Sequence, residues 1–161
     1  MAKPLKRSKQ LTSLSHEHHE ILLFVWKIRQ GMIYGVDAGT IGKYCQWFWN
    51  NQLKDHFQKE ESVFPGALPE DDVLMNNMKE DHAAIQAKFD QIVNDPYYFQ
   101  IQRLAQILEY HIRFEERTWF PYVERTLTPE KLDNIEKLLR SSKTKAAPWP
   151  DEFWIRRSQA S

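Results

Sequence analysis

The chain has 161 residues, with 22 Lys and Arg balanced by 22 Asp and Glu, 42% apolar and 13% aromatic content, one Cys and five Gly. That is the length of one ordinary domain. Zero formal charge and a pI near 7.0 remove the basic field that nucleic-acid binding relies on, so no DNA or RNA partner is expected. The longest apolar run, Ile21 to Trp26, falls short of the roughly 20 residues that span a bilayer. The basic start, Lys3, Lys6, Arg7 and Lys9, precedes no apolar secretory core, and Cys45 alone gives neither an internal disulfide nor a thiolate cluster. The expectation is a cytoplasmic protein with no membrane partner.

Long stretches without Gly carry a helical period, which predicts an all-α fold. The first helix, roughly 12 to 32, has the stripe Leu11, Leu14, His18, Ile21, Val25, Ile28 and Met32. A loop with Gly31, Gly35 and Gly39 leads to a second helix, about 40 to 63, with Trp49, Leu53, His56, Glu60 and Val63 on one face. Pro65, Gly66 and Pro69 end it. The third, about 71 to 93, gives Met75, Met78, His82, Ile85, Phe89 and Ile92, and Asn94-Asp95-Pro96 stops it. The fourth, about 98 to 120, gives Ile101, Leu104, Leu108, His111, Glu115 and Tyr122, with Pro121 marking a kink or an end. Thr128-Pro129 opens a short fifth helix with Leu132, Ile135, Leu138 and Leu139. Four amphipathic segments with short connections predict an antiparallel up-down-up-down four-helix bundle, here over residues 11–140, with the short fifth helix. Residues 1–10 read as a basic flexible arm. Residues 141–161 read as a C-terminal tail whose aromatics, Trp149, Phe153 and Trp154, either fold back on the bundle or dock a partner or a second copy.

Four of the six histidines fall on the inward stripes, one per helix, and two have a Glu four residues later: His56 with Glu60, and His111 with Glu115. Residues at i and i+4 share a helix face, so each pair points at one spot. A repeat runs beneath this. Acid-His-x-x-Ile occurs at Glu17-His18 and Asp81-His82, and His-x-x-x-Glu-Glu followed by Phe-Pro occurs from His56 and from His111. The order A, B, A, B along four helices implies a pseudo-twofold site. An unpartnered buried carboxylate costs several kcal/mol, and no Lys or Arg lies on these stripes, so the layer calls for a metal cation.

Six donors exceed what one tetrahedral zinc ion uses. Two ions sharing Glu60 and Glu115 as bridges, with His18, His56, His82 and His111 as terminal ligands, use the set symmetrically, and imidazole with carboxylate suits iron among others. A ferritin-like Glu-x-x-His is missing, because Ser15, Leu53, Lys79 and Leu108 stand three before the four histidines. His16-Glu17-His18-His19-Glu20 fails His-Glu-x-x-His. His19 could replace His18, though the stripe spacing favours His18, and His16 is expected outside. Glu61 and Glu116 lie about 100° round the helix from the bridging candidates and read as outer partners or as solvated. Gln52 and Gln86 lie one turn from a ligand.

These motifs, over about residues 11–140, resemble the hemerythrin-like, His-His-Glu cation-binding domain. The resemblance implies a non-haem di-iron centre, two iron ions with a solvent- or oxygen-derived bridge, that binds or senses O2, peroxide or NO, or reports iron. Oxygen-carrying members have a second histidine on the third helix and an Asp as the last carboxylate; here Gln86, Met78 and Glu115 stand instead. That count is closer to the sensing and stress branch. The expected partner is a small diatomic or peroxide ligand. The alternatives are a metal- or redox-responsive regulatory module acting through the tail, and a weak peroxide- or NO-consuming enzyme.

Overall fold

The computed structural model describes residues 6–140 and 147–156. Among them are helices over 12–140, with short connections, and no strand. The helices are α1 (Thr12–Ile33), α2 (Ala38–Phe48), α3 (Lys54–Val63), α4 (Val73–Asn94), α5 (Tyr98–Phe114), α6 (Phe120–Thr126) and α7 (Pro129–Arg140). A π turn, Trp49–Leu53, joins α2 to α3, and a second, Glu115–Trp119, joins α5 to α6. No helix is long and apolar enough to cross a membrane.

The ends follow local chemistry. Asp37 caps α2 by accepting from Thr40 N at 3.0 Å, so that helix starts before the expected 40. Asp72 caps α4 by accepting from Met75 N at 2.9 Å, so that one starts after the expected 71. Gly35 takes φ 73° in the turn after α1, a left-handed value that suits a residue without Cβ.

The expected fourth helix does not end at Pro121; it loosens into the π turn and continues to Thr126. Phe120 N–H bonds Glu115 O five residues back. Pro121 has no N–H to offer the Glu116 carbonyl, which accepts from Arg7 at 2.6 Å instead. The extra residue in the turn shifts the register, so Trp119, Phe120 and Val123 are buried while Tyr122, expected inward, is half-exposed. Trp49, within the other π turn, is likewise only half-buried.

The apolar core forms two clusters. One holds Ile21, Phe24, Leu53, Phe89, Leu104 and their neighbours. The other holds Leu14, Phe64, Met75, Trp119, Leu132 and theirs. Along α1 and α4 the chain passes from the second cluster to the first; along α3 and from α5 into α6 it passes from the first to the second.

Residues 6–10 are not a free arm. Arg7 donates to Glu124 Oε1 at 2.7 Å and stacks over Phe120, and Ser8 N donates to Glu124 Oε2 at 2.5 Å. A long-range carboxylate recruits a segment whose own composition suggested disorder. Residues 1–5, 141–146 and 157–161 of the expected arm and tail lie outside the described residues. From 147 to 156 the tail folds back: Phe153 and Trp154 are buried in the first cluster, Phe153 against Tyr44, and Lys27 sits 4.2 Å over the Trp154 ring.

Candidate metal centre

The buried polar or charged residues of the described chain are His18, His56, Glu60, His82, His111 and Glu115, each 0–3% exposed. They come from α1, α3, α4, α5 and the second π turn. His19 and His16 are exposed, which places His18 inside as the stripe implied. The histidines form two pairs, His18 with His56 and His82 with His111, and in both the ring centroids are 4.9 Å apart. Each carboxylate reaches both pairs. Glu60 Oε1 lies 2.8 Å from His56 Nε2 and 3.6 Å from His82 Nε2. Glu115 Oε1 lies 2.9 Å from His111 Nε2 and 3.3 Å from His18 Nε2.

The outer ring nitrogens are all tied to carboxylates. His18 Nδ1 pairs with Glu116 at 2.9 Å, His56 with Glu17 at 3.4 Å, His82 with Glu61 at 3.0 Å and His111 with Asp81 at 3.0 Å. Each of these acids is the sequence neighbour of a central residue on one helix and holds the histidine of the next. The four bonds therefore close a ring: α1 to α3, α3 to α4, α4 to α5, and the second π turn back to α1. An Nδ1–H donated to carboxylate leaves the Nε2 lone pair facing the centre.

All four Nε2 atoms and all four oxygens of Glu60 and Glu115 are buried with no conventional hydrogen-bond partner. Eight such atoms in one layer would be costly in an apolar interior. They are the donor set of a cation, four imidazoles and two carboxylates, with no thiolate. Donor atoms of His18, His56, Glu60 and Glu115 lie within 4.8 Å of one another, as do those of His82, His111 and Glu115.

Burial and neighbouring charges divide the protons unevenly among these groups. Burial and the adjacent Glu115 carboxylate push Glu60 well above the usual carboxylate range. Burial opposes the charge on Glu115 too, but His111, Glu60 and His18 outweigh it and hold its carboxyl well below that range. Burial works against a charged His111, yet Glu115 and Asp81 push it up to about 10. His18 is raised against burial by the neighbouring Glu115 and Glu116 carboxylates. At His82 burial wins and lowers it.

Glu61 and Glu116, expected as outer partners or as solvated, are both bonded to histidines. Glu17 and Asp81 hold histidines that the expectations gave no outer partner, although the repeated acid-His dipeptide was their signal. Gln52 is half-buried and Gln86 exposed; neither bonds a histidine among the described residues.

A helical bundle with a buried histidine and carboxylate layer that can hold metal defines the class. The family model of the hemerythrin HHE cation-binding domain matches residues 10–123, and the chain belongs to that family. No curated protein and no solved structure matches the chain.

Proposed function

We propose that the chain is a non-haem di-iron protein that binds or senses O2 or a related oxidant, peroxide or NO, inside an antiparallel up-down-up-down four-helix bundle. The observation that carries the two-ion reading is that each buried carboxylate spans both histidine pairs, as a bridging ligand must. His18 and His56 would hold one ion, His82 and His111 the other, with Glu60 and Glu115 between them. The closed ring of acids supports the alternating directions. On α1 and α4 the acid precedes the central residue; on the other two segments it follows. Steps of about 100° in opposite senses point the same way round the bundle when neighbouring helices run in opposite directions.

Ferrous ions in this site would supply electrons to a diatomic ligand or peroxide. The protein's share is geometric and electrostatic. Four carboxylates fix the imidazole tautomers and planes. Phe57 stacked on His82 at 3.8 Å and Phe120 on His18 at 5.2 Å close the layer from the two apolar clusters and limit water. The test is elemental analysis of anaerobically purified protein, with the visible spectrum before and after air. About two irons per chain and new absorption on exposure to air are expected. Zinc, a single ion or none would overturn the reading.

A further inference from the structure

The folded-back tail closes a cavity that none of the six central residues lines. Its volume is about 380 Å³, with α1 and α2 on one side and Pro148, Trp149, Glu152 and Trp154 of the tail on the other. At roughly 30 Å³ per water molecule, it has room for a ligand of up to about a dozen non-hydrogen atoms. Four rings stand round it. Trp149 is tilted 55° to Tyr44 at 5.6 Å and 51° to Trp47 at 5.9 Å, and Trp154 is tilted 39° to Tyr44 at 5.4 Å. Rings tilted round a space offer it π faces from several directions, the arrangement that an organic ammonium group binds.

The charges agree with the rings. The chain's own ammonium already uses one of these faces: Lys27 Nζ lies 4.2 Å from the Trp154 centroid, and both residues line the cavity. Glu20 and Glu152 line it too, and among the described residues neither carboxylate is in an ion pair. Two acids against one Lys give the rim a net negative charge, which favours a cation over an anion. The Trp149 Nε1–H is buried with no partner among the described residues, and an acceptor oxygen on the same ligand would meet it.

We propose that this cavity binds a small organic cation, a methylated or quaternary ammonium compound with an acceptor oxygen, held between the bundle and the tail. The ligand's ammonium takes the ring faces, and Lys27, half-buried on a flexible stem, swings out to solvent. Because the tail supplies Trp149, Glu152 and Trp154, the ligand is held only while the tail is docked, so occupancy and docking stabilise each other. The proposal rests on the docked tail and stands apart from the metal reading.

The experiment is isothermal titration calorimetry of the full chain with choline, and with the uncharged alcohol in which carbon replaces choline's nitrogen. The two have the same shape and the same hydroxyl, and choline is expected to bind at least tenfold more tightly. Trp149→Leu should weaken choline at least tenfold, and Glu152→Gln severalfold, with the circular dichroism unchanged. Lys27→Met keeps the stem, removes the competing charge and should strengthen choline severalfold, a gain that a merely structural role for Lys27 would not produce. Hydrogen exchange over residues 149–156 should slow when choline is present. Equal binding of the two compounds would overturn the proposal and leave an apolar cleft. Weaker choline binding in Lys27→Met, or no choline binding at millimolar concentration, would overturn it as well.

Discussion

A Cβ built on Gly31 would lie 2.7 and 2.8 Å from two carbons of the Phe153 ring and 3.1 Å from Ile41 Cδ1. In an unobstructed helix interior, Gly→Ala gains about 1 kcal/mol. At Gly31 the methyl must displace Phe153, whose burial contributes about 1.5–3 kcal/mol, or push the α2 side chain aside. The ring belongs to a terminal segment and is the part free to withdraw. Gly31→Ala should therefore destabilise the full chain by about 1 kcal/mol, a fall in Tm of about 2–4 °C for a chain of this size. In a Phe153→Ala background the obstruction is gone, and the same substitution should stabilise by up to about 1 kcal/mol. The coupling across this cycle is about 2 kcal/mol. Urea unfolding of the four proteins, followed by circular dichroism, measures it. Equal stabilisation by Gly31→Ala in both backgrounds would refute the docking of Phe153 on α1.

His18→Ala should sharply lower iron content while His19→Ala and His16→Ala leave it unchanged, since only His18 is buried; equal loss in all three would mean the α1 register is wrong. His111, pushed up to about 10, carries its proton at pH 7 in metal-stripped protein, and burial beside Glu115 makes Glu60 hold its proton more tightly than a free carboxyl. Loading should therefore release protons, and affinity should rise with pH by about tenfold per unit for each proton displaced; an indicator dye in weak buffer reads this, and no release at pH 7 would contradict it. Arg7→Ala removes a part-buried bond to Glu124 and uncovers the Glu116 carbonyl, which should cost about 1–3 kcal/mol in thermal unfolding.

How far the sequence could be read depended on whether a helix stayed regular. Along α4 all six stripe residues from Met75 to Ile92 are buried, because an uninterrupted α-helix keeps about 100° per residue from end to end. Both π turns broke that regularity, and no residue type announces them. Tyr122 was therefore misplaced by the register shift that buries Trp119 and Phe120. The convergence of the six central residues was legible, since ionisable groups on an inward stripe must find a partner of opposite charge inside the bundle. Their outer partners were half-legible. Acid neighbours are visible in sequence, but that Glu17 reaches His56 and Asp81 reaches His111 depends on which helices pack together. The same holds for Arg7, whose partners Glu116 and Glu124 lie more than a hundred residues away.

The layer also divides the core. On each ligand-bearing helix the central residues stand between the two apolar clusters: Leu14 and Ile21 flank His18, Met78 and Ile85 flank His82, Phe57 and Phe64 flank Glu60, and Leu108 and Trp119 flank His111 and Glu115. Buried polar atoms left without hydrogen-bond partners hold two apolar halves together poorly; a cation bound by both halves joins them. The second cluster includes α6 and α7 and is the smaller of the two. Stripping the metal should therefore speed amide exchange first across α6, α7 and the start of α1, while α5 and the later part of α1, packed in the first cluster, keep their protection. Hydrogen exchange on loaded and stripped protein reads this directly. A uniform loss of protection across both clusters would show that the apolar contacts alone make one cooperative unit, and that the ligand layer does not join them.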